Sequence, residues 1–408
     1  MNTAIIEKNY LNTNFAVFLI ILLPISLLIG NFAANLNIIL INIFFLKEIF
    51  KKNFFFFLKD RNFYFLIIIY IYLIINSILV SNNFEGVVRS AGFIRYIILA
   101  YAIFYYFITS RDKILKYWLI IYIIVSADVL IEHFTGSNIF GFSSEEPSRI
   151  ASFTKDELII GGYYFGFISI CLLYLKTLNN IIFFLCTILF FYISIVIGER
   201  SNFLKLLVIY ILYVTFFSKV DYYKKILILL LIIFSIFMLI KNSDILKSKF
   251  YYMIFPNIIE TFNQNDENKV KNIIKKNEYF TLYNTAFLIF KENILFGVGN
   301  KNYRIDSFVI KQKDKEGIYG ASTHPHQLHF ELLSELGITG YLLIMSNLII
   351  LIIKNRKKTD FLKISSTLFI LATLVPILPS GSFFSTFNAS IFWINYAFLI
   401  NIQHNDNS

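Results

Sequence analysis

Apolar runs close to the length of a membrane crossing return about twelve times along 408 residues, and that recurrence most narrows what this chain can fold into. They lie at roughly 14–30, 32–46, 63–80, 91–109, 115–132, 158–175, 180–197, 203–217, 225–241, 338–353, 362–379 and 389–403. The chain is 57% hydrophobic and 15% charged, with a mean hydropathy of +0.66. A soluble globule of this size could not hide so much apolar surface. The expected fold is all-α: a polytopic membrane protein of about twelve transmembrane helices, forming one membrane domain over 1–408. The first run lacks a basic leader and a small-residue cleavage site, so it reads as a span rather than a removable signal. Cys171 and Cys186 both fall inside apolar runs, which indicates neither a disulfide framework nor a zinc site.

A formal charge of +11 would suggest a nucleic-acid partner if the bases were clustered on a soluble face. Instead they punctuate the apolar runs. Lys47, Lys51, Lys52, Lys59 and Arg61 lie between the second and third runs, and Arg111, Lys113 and Lys116 between the fourth and fifth. Lys219, Lys224 and Lys225 separate the eighth and ninth, and Lys354, Arg356, Lys357 and Lys358 follow the tenth. If every run crosses, all four clusters share one side, which the positive-inside rule makes the cytoplasm, with both termini there. The opposite side then carries the loop His133 to Glu157, the turn Gly198 to Asn202 and a long segment at 242–327. Within that segment, Phe280 to Phe290 reads as a helix with an apolar face, ended by Asn293 and Gly297.

Chemistry concentrates on this second side. Pro325 suits the first turn of a helix, which would place His326 in that turn beside free N–H groups and the positive dipole end. There the field disfavours imidazolium and leaves a neutral base. Such a helix would put Gln327, Glu331, Ser334 and Glu335 on one face, and either glutamate could orient His326. The plain alternative is a helix N-terminus with interfacial histidines. Arg200 opens the turn Gly198-Glu199-Arg200-Ser201-Asn202 at membrane depth, where its planar donor fork suits the pyrophosphate of a lipid-linked donor; snorkelling, or a Glu199–Arg200 pair, is the structural alternative. Arg95 lies about one turn inside the fourth run, and Arg89, a plainer solvated residue, flanks it. Arg149 belongs to a charged outer loop.

Gly297 and Gly299, followed by Lys301 and Arg304, form a weak phosphate-loop pattern. It lacks the preceding strand and the Lys-Ser/Thr ending of a nucleotide loop, so no nucleotide is expected. His324, His326 and His329 have no metal-ligand spacing with a carboxylate, and no metal or other cofactor is expected. The first outer loop, Gly30 to Asn35, also lacks the acidic residue usual in metal-dependent lipid-linked glycosyltransferases.

Taken together, these residues resemble the O-antigen ligase and O-antigen polymerase superfamily of bacterial envelopes. His326-Gln327, nine residues, then Gly337-x-x-Gly340 resembles its His-Asn/Ser/Gln signature near the end of the large periplasmic loop. Gly198-Glu199-Arg200-Ser201 resembles the turn that supplies an essential arginine, and Arg149-Ile150-Ala151-Ser152-Phe153 with Gly161-Gly162-Tyr163 resembles the segment before a central span. Gly297-Val298-Gly299-Asn300 and Thr323-His324-Pro325-His326 are similar to the polymerase-like branch, and the likeness covers roughly 126–341. Many members carry a second arginine where this chain reads Glu278-Tyr279-Phe280-Thr281-Leu282-Tyr283; Lys275, Lys276 or Arg304 could take its place.

The resemblance implies a metal-independent, inverting glycosyltransferase in the bacterial inner membrane, with its active face periplasmic. Its implied donor is a glycan on undecaprenyl pyrophosphate and its acceptor a lipid A core or another glycan. His326 would be the base and Arg200 the donor anchor. Arg304, Arg149, Arg95, Gln327, Glu335, Gly297 and Gly299 would complete the substrate site. A repeat-unit polymerase is the alternative within the superfamily. A flippase of lipid-linked sugars is the alternative outside it, disfavoured because the polar residues gather on one face.

Overall fold

The computed structural model describes residues 10–80, 84–146, 149–155, 157, 159–218, 220–242, 275, 277–357 and 359–401. The chain is all-helical, with 77% helix and no strand among the described residues. The helices are α1 (Tyr10–Ile21), α2 (Leu23–Ile29), α3 (Asn31–Lys52), α4 (Arg61–Val80), α5 (Phe84–Gly92), α6 (Ile94–Thr135), α7 (Ile160–Leu178) and α8 (Asn180–Val196). They continue as α9 (Arg200–Leu212), α10 (Tyr222–Asn242), α11 (Glu278–Glu292), α12 (Tyr303–Lys313), α13 (Leu328–Asn355), α14 (Phe361–Thr373) and α15 (Thr386–Ala397).

Among the described residues, six stretches are long and apolar enough to cross a membrane: Asn31–Lys52, Arg61–Val80, Phe84–Thr135, Ile160–Leu178, Arg200–Phe217 and Leu328–Asn355; α8 and α14 are shorter apolar helices. The apolar runs and the helices therefore do not map one to one, for local reasons. Pro24 in the first turn of α2 splits the first run into two short helices, and Gly30 at φ +130 separates α2 from α3. The eleventh run stops being helical at Thr373, just before Pro376 and Pro379. Conversely, the fourth and fifth runs form one element with a break at Ser110 (φ −126°, ψ 20°). The rings of Phe107 and Trp118 lie 5.5 Å apart across that break. In a straight helix residues so spaced would be separated by about 16 Å along the axis, so α6 folds back on itself as two limbs.

Polar contacts sort the connecting segments into two ends. At one end Glu48 accepts from Tyr105, Tyr106 and Lys52, and Arg111 donates to Asp360 at 2.8 Å. These are the segments that carry the basic clusters. At the other end Asn35 donates to Thr386, Ile150 N–H to Ile197 O, and Asn300 to Ser90. Large apolar side chains such as Phe32, Leu79 and Phe184 point outward from the helices, as they would toward lipid. Between the two ends, buried Asn62, Asn347 and Tyr396 satisfy one another.

The helix expected over Phe280 to Phe290 is present as α11, with Asn293 at its C-cap. It packs with α12 around a small core of Ala286, Ile289, Val298 and Tyr303. Two expectations need correction. The helix expected from Pro325 begins at Leu328, because the Gln327 side chain caps it by accepting from Phe330 N–H at 2.9 Å. His326 is accordingly not in the first turn but outside the helix, at φ +55. Of the residues expected on the outer side, Asp156 and Asn265 lie outside the described residues, as do Lys219 and Lys358 of the basic clusters and Lys276.

Candidate functional site

An elbow at Gly337 builds the site. Gly337 has φ +64 inside α13, and His329 Nδ1 lies 3.0 Å from the Tyr341 hydroxyl twelve residues on, which a straight helix forbids. The first limb of α13 therefore ends at the elbow and leaves carbonyls without helical partners. Val298 N–H donates to Ser334 O at 3.0 Å, Gly299 N–H to Glu335 O at 2.8 Å, and the Tyr72 hydroxyl to Leu336 O at 2.6 Å. The second limb has unpaired N–H groups, and Ile338 donates to Ile294 O at 2.8 Å. The two backbones run so close that a Cβ on Gly337 would lie 2.4 Å from the Leu295 carbonyl. One on Gly297 (φ +64) would lie 2.5 Å from that of Glu335. Gly297 N–H donates to Asn293 O at the end of α11, whereas Gly299 N–H donates to Glu335 O and so helps hold the elbow.

Above the elbow His326 is half-buried. Its Nε2 lies 3.3 Å from Ser322 Oγ, and its ring centroid is 4.0 Å from that of His324 and 5.9 Å from that of Tyr279. Burial lowers the pKa of His326 below the ordinary histidine value, against an opposing pull from Glu278. Burial, helped by the neighbouring His326, Lys301 and Arg304, brings His324 down to about 3. The imidazole is thus neutral by desolvation and not through a helix terminus. His329 has both nitrogens engaged, the second 2.9 Å from Leu374 O, and belongs to the packing of the elbow.

Neither glutamate hydrogen-bonds to His326 directly. Glu331 accepts from Ser382 Oγ at 2.5 Å and from Phe383 N–H at 2.8 Å, and Lys301 Nζ donates to the same Ser382 at 2.7 Å. Glu335 is fully buried beneath Lys301 and Arg304 rather than beside the imidazole. Sequence reasoning missed Lys301 and Ser382. The signal available was Pro376 and Pro379 followed by Ser380-Gly381-Ser382, which marks a polar strap where the eleventh run was drawn through to 379.

The arginines separate. Arg200 is the first residue of α9, half-buried, after Gly198 at φ +81 and the N-cap Glu199. Glu199 pairs with Arg149 at 2.9 Å, and Asn202 also donates to it. Burial raises the pKa of Glu199, with Arg149 and Asn202 pulling against it. A Cβ on Gly161 would fall 2.4 Å from the Glu199 carboxyl, so the two outer motifs close into one unit under Arg200. Arg149 is therefore a brace of the Arg200 turn. Arg304 reaches Glu85 of α5 at 3.4 Å. Arg95 turns back on the α5–α6 junction, donating to Gly92 O at the end of α5 and to the Tyr96 hydroxyl.

The strap touches the histidine segment, and α15, which follows it, lies against Gly162 beside the Arg200 turn. Ser380 N–H donates to His326 O at 2.7 Å, and a Cβ on Gly162 would meet Phe387 at 3.1 Å and Asn202 at 3.8 Å. Apart from these, a cavity of about 450 Å³ opens between α11 and α12, lined by Glu292, Asn293, Asp306, Asp314 and Tyr319 among others.

Fold and site together define a multi-pass, all-helical membrane protein with a polar, histidine-bearing elbow at one end of an apolar bundle. A family model described as O-antigen ligase matches residues 182–345, from before Arg200 to beyond Gly340, and this match supports membership of the O-antigen ligase superfamily. Members are glycosyltransferase-like enzymes, with lipid-linked glycan and acceptor substrates in general. No curated protein matches the chain.

Proposed function

We propose that this protein transfers a glycan from undecaprenyl pyrophosphate to a sugar hydroxyl at the periplasmic face of a bacterial inner membrane, as a ligase onto the lipid A core. The observation that carries the reading is His326, neutral by burial and held outside the helix in the segment that the elbow supports. The acceptor hydroxyl gives its proton to the imidazole while its oxygen attacks the anomeric carbon. The bond from that carbon to the pyrophosphate oxygen breaks, the configuration inverts, and the lipid pyrophosphate leaves against the Arg200 guanidinium and the N-terminal amides of α9. Arg304, near the elbow, is a second cation within the polar end. No metal ion is required by this scheme.

The same chemistry with a repeat unit as acceptor would make a polymerase, and the acceptor supplied to the assay separates the two. The test is transfer from a lipid-linked donor in membrane vesicles. His326→Ala is expected to lose about 10²–10⁴-fold in rate while the protein still inserts. Arg200→Lys, which keeps the charge but not the fork, is expected to lose at least about tenfold. Full activity in His326→Ala refutes the base assignment. Loss of activity on adding a chelator alone refutes metal independence.

A further inference from the structure

Three segments far apart in sequence meet in a buried chain of hydrogen bonds that the mechanism above does not use. Lys301 (5% exposed) donates to Ser382 Oγ, Ser382 donates to Glu331 Oε1, and Phe383 N–H donates to Glu331 Oε2. An ammonium and a carboxylate removed this far from water are tolerated only when each is compensated. Here the Ser382 hydroxyl is the atom that joins them. Two residues upstream, the same strap donates Ser380 N–H to His326 O at 2.7 Å. His326 occupies φ +55, a left-handed conformation that is unfavourable for a non-glycine residue and persists only where surrounding contacts impose it.

We propose that Lys301, Ser382 and Glu331 are positioning residues: their buried clamp seats the strap at Ser380 to Phe383, and the strap holds His326 in its left-handed conformation. This rests on the reading of His326 as the base. The three act through the strap and touch neither substrate. Without the Ser382 hydroxyl the strap loses its link to Lys301 and one of its two bonds to Glu331, and His326 relaxes out of its niche between Tyr279 and His324. Turnover falls, whereas donor affinity, set at Arg200, is retained. The groups facing the imidazole are Glu278 at the start of α11, Ser322 and His324 on its own segment, and Lys301 and Arg304 beyond His324. A more exposed imidazole takes up a proton more easily, so the acid limb of kcat moves to higher pH.

The experiment uses the full chain in membrane vesicles with a lipid-linked donor, comparing Ser382→Ala, Ser382→Thr, Glu331→Gln and His326→Ala, with folded protein quantified by monodisperse elution in detergent. Ser382→Ala is expected to lose roughly ten- to hundredfold in kcat, with donor KM within about twofold and the acid limb shifted upward. Ser382→Thr, which keeps the hydroxyl, restores both. Glu331→Gln is isosteric but can accept only one of the two bonds, and changes in the same direction. Wild-type kcat and acid limb in Ser382→Ala, or a loss that Ser382→Thr does not restore, overturn the clamp. If Ser382→Ala does not accumulate, Glu331→Gln decides by the same criteria. An active His326→Ala overturns the base and the clamp together. An inactive His326→Ala beside a normal Ser382→Ala overturns the clamp alone.

Discussion

Desolvation governs the two histidines that face each other above the elbow, and it makes their pH behaviour predictable in sign. The pKa of His326 lies below the ordinary value of 6.5 because burial disfavours the imidazolium. Its base form therefore persists as pH falls through 6.5, and kcat should decline only below that point. Glu278 pulls the other way, so Glu278→Gln should move the acid limb to still lower pH; an unchanged or raised limb would show that Glu278 does not act on the imidazole. His324 makes a separate prediction about stability. Folded, it resists protonation down to about 3, whereas in an unfolded chain it would charge near 6.5. Between those values the unfolded state binds more protons, so stability falls as pH is lowered from 6.5 toward 3. Melting in detergent across this window should show a decline that His324→Asn flattens.

Among the elements, α13 shows why one glycine can matter more than another. Gly337 combines φ +64 with backbone atoms 2.4–2.5 Å from where a Cβ would stand. Gly136, at φ +82 after α6, has nothing within 4 Å of that position. Gly136→Ala should therefore cost only the left-handed backbone penalty, about 1–2 kcal/mol. Gly337→Ala must also push the segment at Leu295 and Phe296 away, breaking the hydrogen bonds that hold the elbow. Thermal melts and transfer assays of the two variants check this: Gly136→Ala should stay active, and Gly337→Ala should lose both stability and turnover. Equal behaviour would mean that the close backbone approach at the elbow is not a constraint. The α6 hairpin makes the complementary point. Its turn at Ser110 lies among Arg111, Lys113 and Lys116, so charge and fold-back coincide there.

At the scale of the whole molecule, the contacts place Lys51 and Lys357 with the basic end and Arg149 with the elbow end of the bundle. If the basic end is cytoplasmic, cysteines at 51 and 357 should resist an impermeant thiol reagent in intact cells, while one at 149 should react. Labelling of 51 with protection of 149 would invert the topology and remove the periplasmic site with it.

Much of this architecture follows from the chain's own pattern. Apolar runs of membrane length impose helices, because backbone groups in lipid must be satisfied within the segment, and their alternation with lysines and arginines divides the polar segments into two ends. The family resemblance singled out His326, Gly337 and Arg200, since a motif break after nine residues and a glycine-led turn are local features of the chain. Contact between distant segments is not local, and there the tertiary structure decided. Only the fold brings Arg149 to Glu199. The fold also sets the Val298 and Gly299 amides on the orphan carbonyls of α13, and moves His326 out of a helix that Gln327 caps. The Lys301–Ser382–Glu331 clamp was illegible for the same reason: its members lie 30 and 51 residues apart along the chain. Burying a charge is so unfavourable that its partner is chosen by packing geometry, which no periodicity along the sequence encodes.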